Sequence, residues 1–225
     1  DSSMTPISFA KSVVKGYADY HINRNMSATA GSRASFDTTL TQTVFSLNIA
    51  KQEALYSAID LLSQELLSEG TAVCNTVYSA YLYQDRNNVD NCKGMAYKGT
   101  YNYLSDIGYF CKELYSDTNC GVSDATKNAA QKVITALSDI VECSWLGKKT
   151  SSDTSFYYVR NLEGYSGEND NNGIFGLTIT SATTFLYSNT GREISYYPIY
   201  SQYEAVTGYV SSWGDLLKIW HADEL

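Results

Sequence analysis

The sequence predicts a helix-dominated α+β fold, and three features of its apolar pattern predict it. Several segments carry apolar residues three and four positions apart, which is the spacing of an amphipathic helix. Residues 38–47 are rich in Thr, Val and Phe, which favours a strand. Beyond residues 149–153 the helical spacing gives way to short segments of strand character separated by glycine-rich turns. The chain is therefore expected to be mainly α-helical with a minor sheet.

The N-terminal third is predicted to run from helix to strand to helix. Thr5 is placed to cap the first helix, and Pro6 to occupy its first position. A polar loop is expected over residues 23–35. After the strand, Asn48 is expected to cap a second helix that Gly70 ends. The apolar stripes of the two helices comprise Phe9, Val13, Val14, Tyr17 and Tyr20, and then Leu55, Ile59, Leu62 and Leu66.

The middle third is predicted to be helical. Residues 71–83 show helical spacing, residues 84–93 form a polar loop, and a further helix is expected over residues 101–114. Ser123 is expected to cap the most regular helix of the chain, which is predicted to end at Gly147 with Lys148 and Lys149. The stripes are Val73, Val77, Ala80 and Tyr81; Tyr101, Leu104, Ile107, Cys111 and Leu114; and Ala129, Val133, Ala136, Leu137, Ile140 and Val141.

The C-terminal third is predicted to hold the minor strands. Residues 155–160 and 174–180 have strand character, and a turn-rich stretch around Gly164, Gly167 and Gly173 joins them. A short further strand is expected at Phe185 and Tyr187, and a short helix is expected to start at Pro198. Ser212 is expected to cap a final helix that runs through Leu216, Leu217 and Trp220.

Composition excludes some classes of function. The chain is 44% hydrophobic and 18% charged, which suits a packed core. Its net charge of −8 makes nucleic acid a poor partner, because phosphate binding needs a cationic face. No apolar run approaches the roughly 20 residues that span a bilayer. Because the chain starts with Asp1, it is expected to be a processed product or an excised part of a longer protein.

Thiol chemistry or a zinc site would have to be built from five cysteines and two histidines. No CxxC spacing occurs, so zinc is not expected. A Cys111–Cys120 disulfide would close a short loop, but buried reduced thiols are the favoured interpretation. A catalytic pair needs His21 or His221 in contact with a cysteine, and neither is expected to serve one. His21 is expected to lie at the end of the first helix and His221 near the C-terminus. The cysteines are Cys74, Cys92, Cys111, Cys120 and Cys143.

The remaining polar clusters are interpreted as structural. Residues 168–173 resemble a calcium loop in their oxygen-bearing side chains, but they lack its spacing and its bidentate Glu, so a turn is expected. The local carboxylate pairs are interpreted as solvated loops. A run of tyrosines near residue 200 is interpreted as packing, with an amphipathic binding face as the alternative. These groups are Asp85 and Asp90, Glu163 and Glu168, and Tyr196, Tyr197, Tyr200 and Tyr203.

Four stretches, in order, resemble the C-terminal half of the clostripain family of cysteine peptidases. The first is Met4-Thr5-Pro6 with the helix after it, which resembles the helix that follows the catalytic cysteine. The second is the strand-to-helix unit of residues 39–60, where residues 48–51 read Asn-Ile-Ala-Lys and the family usually has Asp-Leu-Ser-Lys. The third is residues 101–110, similar to a Tyr-rich family helix. The fourth is the strand at residues 176–180 with the final helix at residues 213–220.

The resemblance implies the edge of a caspase-like α/β core in residues 1–67 and a mostly helical C-terminal domain with a few short strands in residues 68–225. It implies a secreted enzyme that matures by self-cleavage and cuts after Arg or Lys. Both members of the His/Cys dyad, and the acidic residue that binds the basic side chain, fall upstream of Met4-Thr5-Pro6. No catalytic, cofactor-binding or metal-binding residue is therefore assigned in this chain. Clostripain itself needs calcium, and the resemblance places no calcium ligand here.

The sequence thus predicts the post-catalytic portion of a clostripain-like endopeptidase. Its partner would be the N-terminal catalytic half, and peptide substrate would bind only to the complete enzyme. The alternative is a non-catalytic, extracellular, Tyr-rich module that binds a glycan or a protein. A relative that has lost its dyad is a third possibility.

Overall fold

The computed structural model describes residues 4–27, 40–82, 104–116, 118–149, 155–163, 175–180, 184–187, 192–195 and 212–220. The helices are α1 (Pro6–Ser27), α2 (Ile49–Ser68), α3 (Thr71–Val77), α4 (Ile107–Ser116), α5 (Asp124–Ile140) and α6 (Ser212–Trp220), and a π-helical segment, Tyr78–Leu82, follows α3. The strands are β1 (Leu40–Phe45), β2 (Leu104–Asp106), β3 (Val141–Lys149), β4 (Ser155–Arg160), β5 (Thr178–Thr180), β6 (Thr184–Tyr187) and β7 (Arg192–Ser195). The predicted helix-dominated α+β class is confirmed.

The largest sheet is antiparallel, with the strand order β1-β3-β4. Strand β3 pairs with β1 from Leu40 opposite Gly147 onward, and with β4 from Ser144 opposite Arg160 onward. A bulge interrupts the first pairing after Val44. Two smaller antiparallel pairs join β2 to β5 and β6 to β7. Strand β3 is therefore central, and β1 is an edge strand of this sheet.

Helix α1 and the main helical core lie on opposite faces of this sheet. Cys143 and Trp145 of β3 pack with Val14 and Ala18 of α1 in one buried cluster. Phe175 belongs to the main cluster and contacts Thr43 and Arg160, the two residues that pair with Ser144 on the neighbouring strands. The Thr43 hydroxyl donates to the Phe175 carbonyl oxygen at 3.4 Å, and the Arg160 guanidinium lies 3.8 Å from the Phe175 ring centroid. Because neighbouring residues of a strand face opposite sides, the sheet is covered on both faces.

The main core is built by α2, α4, α5 and α6. Trp213 lies at its centre, edge-on to Phe110 with 6.1 Å between ring centroids and edge-on to Trp220 at 5.4 Å. Tyr78, in the π-helical segment, stacks on Trp220 at 5.4 Å. The fully buried leucines of this core are Leu62, Leu66, Leu82, Leu114, Leu137, Leu216 and Leu217.

The predicted helix signals at three N-termini and one C-terminus are confirmed. The Thr5 hydroxyl accepts the Ser8 N–H at 3.1 Å, and Pro6 is the first residue of α1. The Asn48 side chain accepts the Lys51 N–H at 3.2 Å, and the Ser123 hydroxyl accepts the Thr126 N–H at 3.3 Å. Gly70 follows α2 with a φ of 86°, a left-handed conformation that suits glycine at a helix end.

The prediction that the Ser123 helix continues to Gly147 is wrong. Helix α5 ends at Ile140, and Val141 has extended dihedrals, φ −82° and ψ 108°. Residues Val141–Lys149 form β3 instead. Val141, Cys143 and Trp145 alternate with polar or small residues, which suits a strand, and pairing with a strand on each side outweighs helix continuation. The first helix is also longer than predicted, because α1 includes residues 23–27 of the predicted loop.

The predicted helix over residues 101–114 starts later than expected. Strand β2 occupies Leu104–Asp106, and α4 begins at Ile107. Asp106 ends the strand and caps the helix, since its Oδ1 accepts the Tyr109 N–H at 3.0 Å. The strand predicted over residues 174–180 is present only as β5, Thr178–Thr180.

Ser212 does not cap the final helix from outside, because it is the first residue of α6. Its N–H donates to the Asp60 carboxylate at 3.0 Å, so a carboxylate of α2 accepts at this helix start. The strands predicted at residues 155–160 and around Phe185 are present as β4 and β6. Two predicted loops and one predicted helix lie outside the described residues. They are the loops at residues 84–93 and around Gly164, Gly167 and Gly173, and the helix at Pro198.

Two contacts cross the predicted domain division at residues 67 and 68. Strand β1 pairs with β3, and α2 packs on α5. The division itself stays a prediction. Within the described ranges, no helix combines the length and the apolar character that crossing a membrane requires.

Candidate docking surface

The outer edge of β1 is the first part of the candidate surface. Strand β1 pairs with β3 on one side, and no other described strand pairs with it. The backbone groups on the outer side of an edge strand are a template for a further strand. Natural edges are commonly protected by Lys or Pro, whereas β1 has the sequence LTQTVF, without a charged residue or a proline.

The turn after β1 presents two apolar side chains to solvent. Leu47 is 87% exposed and Ile49 is 71% exposed. The backbone beneath them is held in place, because the Ser46 N–H donates to the Ile140 carbonyl at 2.8 Å and the Asn48 side chain caps α2. These side chains are therefore displayed at fixed positions beside the end of β1.

Leu47 has a local reason for being exposed. It precedes the cap residue Asn48, the position from which an apolar side chain often packs against the fourth residue of the helix. That fourth residue is Gln52, whose amide donates to the Ser46 carbonyl at 3.5 Å. The position that would hold an apolar partner for Leu47 in such a pairing is thus occupied by a polar side chain.

Helix α1 extends its sheet-facing side beyond the sheet. Ile7, Val14 and Ala18 are spaced seven and four residues apart, which places them on one face of the helix. Val14 and Ala18 are buried against the sheet, whereas Ile7 is 45% exposed. We call the outer edge of β1, together with Ile7, Leu47 and Ile49, the edge surface. Its side chains are apolar and exposed, and no described strand pairs with the outer edge of β1.

The most perturbed carboxyl group of the described residues is that of Asp106, which is buried. Its Oδ2 accepts the N–H groups of Phe175 at 3.1 Å and Gly176 at 2.7 Å, while Oδ1 caps α4. Burial raises the pKa of Asp106 to about 6, and the backbone donors act in the opposite direction. No described cation lies within ion-pair distance of it. Asp106 was not singled out from the sequence, although an Asp directly before an apolar helical run is a capping signal.

Ser144 is the one fully buried hydroxyl without a hydrogen-bond partner among the described residues. It lies between Thr43 and Arg160 across the sheet, beneath Phe175. No base in the described part of the chain forms a hydrogen bond with its Oγ. The links to residues 175 and 176 are made by Asp106, which accepts their N–H groups, and by the Thr43 hydroxyl, which donates to the Phe175 carbonyl oxygen.

The described cysteines are structural. Cys74, Cys111 and Cys143 are buried free thiols, and Cys120 is buried as well. The Cys111–Cys120 disulfide is therefore not formed, and the buried-thiol interpretation holds. Burial raises the pKa of Cys111 well above its usual value, and burial likewise raises the pKa of Cys74 and of Cys143. Thiols with raised pKa hold little thiolate at neutral pH and are poor nucleophiles.

Of the remaining predicted candidates, Glu163 is the one whose side chain lies in the described part of the chain. His21 is not at a helix end as predicted, because α1 continues to Ser27, and its side chain lies outside the described residues. Glu163 is exposed. Among the residues that the structure places, no three His, Cys, Asp or Glu side chains are grouped so as to hold a metal ion. Outside the described ranges lie His221, Cys92, Asp85 and Asp90, residues 168–173, and the tyrosines Tyr196, Tyr197, Tyr200 and Tyr203.

No protein-family model matches the chain, no curated protein matches it, and no solved structure matches it.

Proposed function

We propose that this chain is the C-terminal, post-catalytic portion of a secreted clostripain-like cysteine endopeptidase that cleaves after Arg or Lys. In this proposal the chain holds no catalytic dyad and supports the catalytic core by continuing the core sheet through β1. The observation that carries the proposal is the edge position of β1 beside the fixed, exposed side chains Leu47 and Ile49.

The edge surface suits a partner that supplies more sheet. A strand added beside β1 would satisfy its outer backbone groups, and the layer around that strand would cover Ile7 and the turn after β1. Fully burying a Leu or Ile side chain contributes about 1.5–3 kcal/mol. Leu47 and Ile49 alone would thus contribute roughly 2–5 kcal/mol to association, before the entropy cost of association is subtracted.

The chemistry of the described thiols supports placing the nucleophile elsewhere. A thiolate nucleophile needs a lowered pKa, an accessible sulfur and an imidazole at contact distance. The free thiols of Cys74, Cys111 and Cys143 are buried, and burial raises the pKa of each. The His/Cys dyad and the acidic residue for the basic side chain then belong to the N-terminal catalytic half, so peptide is a substrate of the complete enzyme alone.

A calcium requirement would belong to the complete enzyme in this proposal. In the part of the chain that the structure describes, no three His, Cys, Asp or Glu side chains are grouped to hold a cation. The net charge of −8 favours basic peptides over nucleic acid as ligands, by long-range attraction.

The test is reconstitution with the polypeptide encoded upstream of this chain. The isolated chain is expected to self-associate and to leave arginyl amides intact. The upstream polypeptide, added in trans, is expected to bind it and restore amide hydrolysis that alkylation abolishes. Leu47→Asp and Ile49→Asp should each weaken this binding about tenfold, as expected when an interface anchor becomes charged. Tyr115→Asp, at an exposed apolar position on α4, is the matched control and should change binding less than twofold.

Two outcomes would overturn the proposal. One is hydrolysis of arginyl amides by this chain alone in a manner that alkylation abolishes. The other is a monodisperse, cooperatively folding chain that does not bind the upstream polypeptide. In that second case, saturable binding to a glycan or peptide ligand would identify the extracellular binding module instead.

A further inference from the structure

The outward side of α1 carries an apolar line distinct from the edge surface. Phe9, Val13, Gly16 and Tyr20 follow one another at intervals of four, three and four residues. Phe9 is 61% exposed, Val13 49% and Tyr20 55%. They lie on the side of α1 away from the sheet, which Val14 and Ala18 contact. We call these four residues the α1 seam.

The spacing of the seam is compatible with a helix as its partner. Alternating intervals of three and four residues are the pattern by which two helices pack side by side in a coiled coil. Gly16 adds room for close approach, because no atom lies within 4 Å of the place where its Cβ would be. A helix packed along the seam would contact the Phe9 ring, the Val13 side chain, the space at Gly16 and the Tyr20 ring, in that order.

The order of sizes along the seam is complementary to itself. In an antiparallel pair centred between Val14 and Lys15, Phe9 of each copy faces Tyr20 of the other, and Val13 faces Gly16. Ring then meets ring, and a branched side chain fills the glycine gap. A two-fold symmetric interface requires such a self-complementary patch.

The charges along α1 do not oppose this pairing. Lys15 pairs with Asp19 of its own helix at 3.0 Å, and Lys11 lies 3.6 Å from Glu142 of β3. Each copy thus pairs Lys11 and Lys15 with carboxylates of its own, so these two lysines do not oppose the approach of a second copy. A strongly acidic or strongly basic partner would therefore find no patch of complementary charge at Lys11, Lys15 and Asp19.

We propose that the α1 seam binds a second copy of this chain, through antiparallel packing of α1 on α1. The seam is small. Aromatic side chains cover roughly 150–250 Å² each, so two half-exposed rings and a valine offer a fraction of the ~800 Å² per partner of a standard interface. The dimer is therefore expected to be weak and reversible, as interfaces below the standard size are. The inference does not depend on the peptidase assignment.

The experiment is sedimentation equilibrium of the chain between low micromolar and about 1 mM, in a Leu47→Ser/Ile49→Ser background that weakens association through the edge surface. The background protein should show a monomer–dimer equilibrium, which Val13→Asp should weaken about tenfold or more. Tyr115→Asp is the matched control and should leave the equilibrium within about twofold. Circular dichroism of every variant checks that α1 has not unfolded.

Disulfide trapping tests the orientation. Mixing Phe9→Cys protein with Tyr20→Cys protein should give a mixed disulfide on mild oxidation, identified by peptide mass. Each variant alone should not link to itself, because the antiparallel arrangement holds equal positions far apart.

Four results would overturn the inference. They are a monomer throughout the concentration range, a dimer that Val13→Asp does not weaken, disulfides of Phe9→Cys with itself, and loss of upstream-polypeptide binding in Val13→Asp with unchanged self-association. The last result would mean that the seam binds the N-terminal catalytic half instead of a second copy of this chain. Failure of the peptidase proposal is read from different variants, at Leu47 and Ile49, so the two failures remain distinguishable.

Discussion

The Glu69 carboxylate accepts the backbone N–H of Ser123 at 2.8 Å and so connects the end of α2 to the start of α5. It also accepts the Thr126 hydroxyl, and Ser123 itself caps α5. Helices α2 and α5 form the centre of the main core. One acidic side chain therefore fixes the relative position of two central helices, and it does so at a helix N-terminus, where a negative charge is favourable.

Replacing Glu69 by Gln should destabilise the protein in a pH-dependent way. Partial burial acts to raise the pKa of Glu69, but the hydrogen bonds from Ser123 and Thr126 lower it on balance. A lowered pKa in the folded state stabilises the protein above the ordinary Glu pKa, and that stabilisation is lost as pH falls through the folded-state value. Glu69→Gln should reduce the free energy of unfolding by about 0.5–1 kcal/mol at pH 7 and by less at a pH well below the ordinary value of 4.5. Urea unfolding followed by tryptophan fluorescence measures both values, and an equal loss at the two pH values would contradict this account.

Replacing Asp106 by Asn should be more severe. Both carboxylate oxygens accept backbone N–H groups, so an amide nitrogen would face donors and leave at least one buried N–H unsatisfied. We expect a loss of about 2–3 kcal/mol in the free energy of unfolding. Asp215→Asn, at an exposed position on α6, is the control and should cost less than about 0.5 kcal/mol.

Asp106 should also shape the pH dependence of stability. Burial raises its pKa from 3.8 to about 6, so the folded state holds the proton more tightly than the unfolded state. Its contribution to stability is complete below pH 3.8 and is lost as pH rises through about 6. The wild-type protein should therefore lose this contribution between those values, and Asp106→Asn should not. Identical slopes of unfolding free energy against pH in the two proteins would contradict the assignment.

Local signals in the sequence were sufficient for the helix caps. Asn48, Ser123 and Gly70 act through their own side chain or backbone, within three residues of the helix end. Such geometry depends little on distant parts of the chain, so the local sequence was enough to predict it. The same holds for β4, whose bounds match the predicted strand.

Strand β3 was missed because its evidence is not local. Val141 continues the helical stripe of α5 and also begins the alternating pattern with Cys143 and Trp145. The choice between helical spacing and strand alternation depends on pairing. Strand β3 pairs with β1, about a hundred residues earlier, and with β4. The strand itself was predicted, since β1 lies within residues 38–47. Which side chains remain exposed, such as Ile7, depends on where the sheet ends.

The buried thiols predict slow alkylation of the folded protein. Cys74, Cys111 and Cys143 are buried, and burial raises their pKa, so iodoacetamide should modify them at least about 100-fold more slowly than it modifies the unfolded chain. A Cys92→Ser variant removes the cysteine that lies outside the described residues. Peptide mass spectrometry follows each site with time. Rapid native labelling of Cys143 would show that the cluster between α1 and the sheet opens readily.

The substitution of Leu by Ala can be compared at a buried position, Leu137, and at an exposed position, Leu47. Leu137 of α5 is fully buried in the main core, so Leu137→Ala removes apolar contacts and leaves a cavity, at an expected cost of about 2–5 kcal/mol in unfolding free energy. Leu47 is 87% exposed, so Leu47→Ala should change the free energy of unfolding by less than about 0.5 kcal/mol. Chemical denaturation of the two variants beside the wild type measures both. A large loss for Leu47→Ala would mean that this side chain stabilises the isolated chain, which would remove a main reason for assigning it to a partner.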